Sequence, residues 1–240
     1  MLHIGSLNLF DCLLIADLCV VIPLLQIRTS LRAEKNRPQR SMAQRALFNF
    51  AIFGTPLIGL ALDWWMSGRS ATDLGLAYPV PWPGQIGLLI ALLLCLGLFV
   101  SSLWPSTASK RADLLTRLKD GGLLITSITD FAIFVPLALL IGCGTEILFR
   151  GFLFWAFDPV LGWAGAVAIM ALAYGLGHGF RDWRAALGSL VSAILFALAY
   201  ALTRSLWWLM LFHTFVALSA AWSGYRAARM AGAVATADFS

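Results

Sequence analysis

LLITSITDFAIFVPLALLIGCGTEILFRGFLFWAF, residues Leu123 to Phe157, decides the fold of this chain, because its only charged side chains are Asp130, Glu146 and Arg150. As one straight helix it would measure about 52 Å at 1.5 Å per residue, whereas about 20 apolar residues cross the hydrocarbon of a bilayer. Gly142 and Gly144 flank Cys143 and follow Pro136, which predicts a break there. A new helix is expected from Thr145, a capping residue type, to the Asp158-Pro159 stop, with the next running to His178. The start of one antiparallel helix and the end of its neighbour share a depth, so Glu146 and His178 are expected to meet.

Outward from that stretch, the composition is equally apolar. Of 240 residues, 60% are hydrophobic and 12% charged, with a mean hydropathy of +0.83, which excludes a soluble globular domain. Apolar windows near Leu7 to Ile27, Ala46 to Met66, Gln85 to Trp104 and Leu123 to Ile141 predict spans. Shorter ones follow at Thr145 to Phe157, Leu161 to His178, Leu187 to Thr203 and Leu206 to Trp222. Backbone polar groups in lipid must pair internally, and runs without strict two-residue alternation exclude a barrel. The expected fold is all-α, a polytopic transmembrane helical bundle of about seven to eight membrane helices. Residues 1–121 supply N-terminal membrane helices and basic loops, 122–225 the core, and 226–240 a mobile tail, within one integrated membrane domain. Trp64, Trp65, Trp82, Trp104, Trp183 and Trp222 fall at or near expected span ends, where amphipathic rings sit.

Charge gives an orientation. Arg28, Arg32, Lys35, Arg37, Arg40 and Arg45 crowd one loop, Lys110, Arg111, Arg117 and Lys119 another, and only Arg69 lies between the two intervening spans. Both basic loops are expected to be cytoplasmic, with the N-terminus outside. If the helix carrying Glu146 did not cross separately, Arg181, Arg184, Arg226 and Arg229 would join the same side; convergence of Glu146 and His178 is the preferred arrangement. The +5 net charge lies in loops beside spans and implies no nucleic acid. Cys12, Cys19, Cys95 and Cys143 lie in apolar runs without C-x-x-C spacing, so neither disulfide nor metal is expected from them. The first span has no basic start or A-x-A site and carries Asp11 and Asp17, unlike a signal peptide.

The chemistry-bearing residues are few. Glu146 is one of two glutamates, set in GTEILFRGFLF from Gly144 to Phe154. A mid-bilayer charge costs roughly 3 kcal/mol on insertion scales, and Glu146 and Arg150, four apart on one helix face, can neutralise each other. A structural ion pair is the plain reading. Of three histidines, His3 is terminal, leaving His178 in Tyr-Gly-Leu-Gly-His and His213 in Leu-Phe-His-Thr-Phe within apolar surroundings. A buried histidine by itself is usually a hydrogen-bonded core residue; two with a carboxylate suggest a site. Asp63 is expected to snorkel or to bond helix to helix, and Asp130 lies too far from Glu146 to join it.

These residues resemble the CAAX prenyl protease and bacteriocin-processing family of intramembrane endopeptidases, the CPBP or ABI family, whose pattern is E-E-x-x-x-R, F-x-x-x-H and H-x-x-x-N or H-x-x-x-D. Thr145-Glu146 with Arg150 fits the first motif apart from its leading glutamate. Tyr174 to His178 fits the second with Tyr for Phe, and His213 to Ala217 keeps only the histidine of the third. Asp73-Leu74-Gly75-Leu76 and the runs around Arg150-Gly151 and His178-Gly179 add to the likeness, which covers roughly Thr72 to Trp222. The resemblance implies peptide hydrolysis by an activated water, with Glu146, His178 and His213 catalytic and Arg150, Tyr174 and Thr145 supporting. It also implies a prenylated or membrane-associated peptide as substrate, no cofactor, and an integral membrane protein of the bacterial plasma membrane. Desolvation makes a carboxylate a stronger base, and polar donors stabilise charge on a carbonyl oxygen.

The departures leave alternatives. Thr145 cannot act as a general base and Ala217 donates no side-chain hydrogen bond. Glu146 could serve as base with His178; Glu146, His178 and His213 could hold zinc as a two-histidine, one-carboxylate set; or the fold could persist as a noncatalytic scaffold or immunity-type protein. A transporter is the remaining class.

Overall fold

The computed structural model describes residues 7–31, 41–103, 107–120, 124–178 and 183–237. Among these the chain is a helical bundle without strands. Helix α1 covers Leu9–Ser30 and α2 Met42–Met66, and a 3-10 turn at Ala71–Leu74 leads to α3, Trp82–Leu103. The amphipathic α4, Ala108–Asp120, has Leu118 packed against Gly224. A helical stretch from Ile128 to Gly177 then contains two legs, α5 (128–161) and α6 (163–177), joined at Gly162. Helices α7, Trp183–Thr203, and α8, Trp207–Ala237, complete the bundle. Among the described residues five stretches are long and apolar enough to cross a membrane, and the chain is an integral membrane protein.

The long stretch does not break where the sequence predicts. Residues Leu140–Gly144 and Ile147–Phe152 adopt π-helical turns, and the backbone passes helically through Gly142 and Gly144. The described parts of the two windows, Ile128 onward and Thr145 to Phe157, therefore belong to one continuous helix. The glycine at 142 serves packing: a Cβ there would lie 2.6 Å from the Thr214 backbone nitrogen, so its absence lets α5 and α8 touch backbone to backbone. Nor does the helix stop at Asp158-Pro159. The reversal is Gly162, at φ 69° and ψ 169°, a region open essentially to glycine.

This continuity resolves the charge asymmetry. Arg226 donates from Nη1 to the carbonyl of Ser102 at the C-terminal end of α3, and Ile27 and Leu31 of α1 share a cavity with Leu176 and Trp183. Arg28, Arg184 and Arg226 thus share one end of the bundle. Convergence at the site holds as well, because Glu146 and His178 are each about 16 residues from the Gly162 reversal. Arg32, Lys35, Arg37, Arg40, Arg181, Trp104 and Gly179 lie outside the described residues. Helix α8 continues to Ala237, past position 226 where a tail was expected to begin.

The opposite end is closed by its own polar cluster. Arg69 donates from Nη1 and Nη2 to Asp11 at 2.8 and 2.7 Å and from Nη1 to Asp63 at 3.2 Å, while Asn8 donates to Asp63 at 2.8 Å. Its guanidinium lies 5.1 Å from the Trp64 ring and 4.6 Å from that of Trp155. Trp64 is buried, and Asp63 is held by a helix-to-helix bond from Asn8, one of the two roles expected of it. The turn below fills this end: Leu74 is buried, its carbonyl lies against Gly151, and the Gly75 carbonyl accepts from the Leu206 N–H at 2.9 Å.

Candidate active site

Three helices deliver the site, and close glycine packing sets their spacing. Helix α5 carries Glu146 and Arg150, α6 carries Tyr174 and His178, and α8 carries His213. The Gly142 contact to Thr214 brings α8 against α5, so that His213 Nδ1 reaches Glu146 Oε1 at 2.8 Å. Glu146 is fully buried, and with His213 in the tautomer that donates from Nδ1 its Oε1 accepts. The other oxygen, Oε2, sits 3.4 Å from Arg150 Nε and makes no hydrogen bond within the protein.

Arg150 is the most unusual member. It is fully buried, and Nε, Nη1 and Nη2 all lack a hydrogen-bond acceptor. Its nearest compensation is the face of Tyr174, 3.6 Å from guanidinium carbon to ring centroid, with Phe196 at 5.7 Å. The expected Glu146–Arg150 neutralisation is thus longer than the Glu146–His213 contact, and the cation rests mainly on an aromatic ring.

Tyr174 joins the two histidines. Its backbone carbonyl takes His178 Nδ1 at 3.0 Å, and its hydroxyl lies 3.5 Å from His213 Nε2. A carbonyl can only accept, so Nδ1 of His178 carries the proton and the neutral ring keeps its lone pair on Nε2. His178 is exposed at the end of α6, whereas Tyr174 is 8% exposed and His213 17% at its side chain. The site therefore grades from a sealed Glu146–Arg150 floor to an accessible imidazole. With only about 15 residues, α6 extends about 22 Å, short of the roughly 30 Å hydrocarbon thickness. Phe149 and Phe196 wall the floor, 5.4 Å from Tyr174 and 6.2 Å from His213.

Residues 127–219 match the family model described as type II CAAX prenyl endopeptidase Rce1-like. The match covers less than half of the chain. No curated protein and no solved structure matches it. The Rce1-like segment contains every residue of the site from Glu146 to His213 and leaves α1 to α4 outside the match.

Within this segment Glu146 engages His213, and His178 is tied to Tyr174, so the expected Glu146–His178 meeting is at one depth without a mutual hydrogen bond. Thr145 turns its hydroxyl back to the Ile141 carbonyl, satisfying a carbonyl within its own helix. Ala217 packs with the second apolar cluster around Phe134, Leu137 and Ala221. The zinc alternative does not fit: Glu146 Oε1 and His213 Nδ1 face each other at hydrogen-bond distance, and among the described residues no three potential ligands converge. Tyr174, expected in a supporting role, meets a histidine with its hydroxyl and another with its carbonyl.

Proposed function

We propose that this protein is an intramembrane endopeptidase of the CAAX type, hydrolysing a peptide bond in a prenylated or membrane-associated peptide in a bacterial plasma membrane. The observation that carries the reading is the accessible His178, whose Nδ1 is committed to the Tyr174 carbonyl and whose Nε2 is left with its lone pair beside a buried carboxylate–imidazole pair. His178 Nε2 takes the proton of an attacking water; Glu146 holds His213 in place, and Arg150 supplies positive charge where negative charge develops. A low-dielectric floor strengthens these interactions. Support for an apolar substrate segment comes from a cavity of about 660 Å³ beside the end of α6, lined by Leu172, Leu176, Trp183 and Leu187 with Ile27 and Leu31 opposite.

Cleavage of a panel of prenylated and unmodified peptides by the purified protein tests this. His178→Ala and Glu146→Gln are expected to lower the rate by about 10²- to 10⁴-fold, the usual contribution of general acid–base groups. Unchanged rates in both would remove these residues from the mechanism. A second reading, a noncatalytic scaffold, is favoured by Thr145 being satisfied on its own helix and by the complete burial of Glu146 and Arg150. It predicts no cleavage by the wild type and a lower unfolding temperature for Glu146→Gln.

A further inference from the structure

Tyr174 has a hydroxyl that the reaction above does not use, and its surroundings assign a direction to that hydroxyl. Its oxygen lies 3.5 Å from His213 Nε2, its ring rests 3.6 Å from the Arg150 guanidinium carbon, and the His178 ring centroid is 4.4 Å from its own. The hydroxyl also faces Thr145. With His213 neutral, Nδ1 donates to Glu146 and Nε2 is a lone pair, so His213 Nε2 and Thr145 are the two acceptors within reach of the Tyr174 O–H. With His213 protonated, Nε2–H donates instead to the Tyr174 oxygen, and the hydroxyl proton is released toward the side where His178 lies. The imidazolium then forms a charge-assisted hydrogen bond with Glu146.

Resting on the endopeptidase reading, we infer that Tyr174 is a catalytic residue, its hydroxyl donating a hydrogen bond to the oxyanion formed at the scissile carbonyl. A water proton moves to His178 Nε2 as the water oxygen bonds to the carbonyl carbon. The displaced π pair becomes the oxyanion, which accepts from the Tyr174 O–H, while a His213 that is already an imidazolium paired with Glu146 before the step, and is unchanged by it, donates from Nε2–H to the phenol oxygen. On collapse the C–N bond breaks, the leaving nitrogen takes the proton from His178, and Tyr174 ends unchanged. Arg150 favours negative charge here, because its Nη groups have no acceptor in the protein and its positive field passes through the Tyr174 ring. Ala217, one helical turn beyond His213, has no side-chain group able to make this hydrogen bond.

Tyr174→Phe removes the hydroxyl alone, keeping the ring under Arg150 and the carbonyl that holds His178. The expected result is a kcat lowered by about 10²- to 10³-fold, as for loss of one oxyanion donor, with KM unchanged. Nitrogen-15 NMR of the histidines should show the His213 Nε2 resonance shifted and those of His213 Nδ1 and His178 unmoved. An active wild type whose Tyr174→Phe variant keeps its kcat, or loses only affinity, overturns the role of Tyr174 while leaving the endopeptidase reading intact. A wild type that cleaves no peptide in the panel sinks that reading and this one with it. Should kcat and unfolding temperature fall together, the spectra decide: a shift confined to His213 Nε2 supports the hydrogen-bonding role, and movement of all three resonances contradicts it.

Discussion

Two buried polar clusters sit at different levels of this bundle, and they are built to opposite specifications. At the end bearing Arg69, the guanidinium meets Asp11 through both terminal nitrogens, touches Asp63 and is stacked on two tryptophans, and Asn8 ties the carboxylates to the start of α1. Around Glu146, by contrast, Arg150 has no hydrogen-bond acceptor, Glu146 Oε2 has no donor, and His178 keeps one ring nitrogen uncommitted. A buried charge without partners is expensive. A satisfied cluster is finished when the chain has folded; one with open donors and acceptors has capacity for water or substrate. Burial of charge is therefore a poor marker of function in this fold, and unspent hydrogen-bonding capacity a better one.

Breaking the satisfied cluster should affect folding before chemistry. Asp11→Ala leaves Arg69 with Asp63 alone, and removal of one partner from a buried pair costs about 3 kcal/mol. Unfolding in detergent should register that loss, with peptide cleavage retained at temperatures where the variant is folded. A selective loss of cleavage would erase the distinction between the clusters.

A smaller effect, of about 1 to 3 kcal/mol for overpacking, is expected from Gly142→Ala. The new methyl meets the Thr214 backbone and pushes α8 from α5. Because that spacing sets the Glu146–His213 distance, cleavage should fall along with stability. A variant with full cleavage would show that the pair tolerates separation.

Smallest of all should be Arg204→Ala. The Arg204–Asp158 pair at 3.1 Å is largely exposed, at 52% and 28%, and exposed ion pairs contribute about 0 to 1 kcal/mol. Neither unfolding nor cleavage should change measurably; a large shift in either would mean that this rim contact belongs with the Arg69 cluster.

The sequence made the membrane bundle legible because hydropathy of this strength has one solvent, and it brought out Glu146, Arg150, His178 and His213 because charges and imidazoles are rare among apolar residues. It misplaced the break in the long stretch because glycine reads locally as flexibility, whereas Gly142 answers to Thr214, 72 positions away. Gly162, the actual reversal, was hidden behind the stronger local stop of Asp158-Pro159. The Arg69 cluster was missed for a similar reason, since Asp11 and Arg69 are 58 residues apart. One signal was present, namely a single base in the turn between spans with an acid at each adjoining helix end. Tyr174 was recognised as supporting the site, but which of its atoms meets which imidazole depends on three helices at once.

The central claim, that the open cluster is chemical and the closed one structural, is tested most directly by measuring peptide cleavage and unfolding temperature for His178→Ala and Asp11→Ala side by side. The account predicts that His178→Ala loses cleavage while unfolding as the wild type does, and that Asp11→Ala unfolds earlier yet still cleaves when folded. Cleavage that survives in His178→Ala, with its unfolding temperature lowered instead, would contradict it.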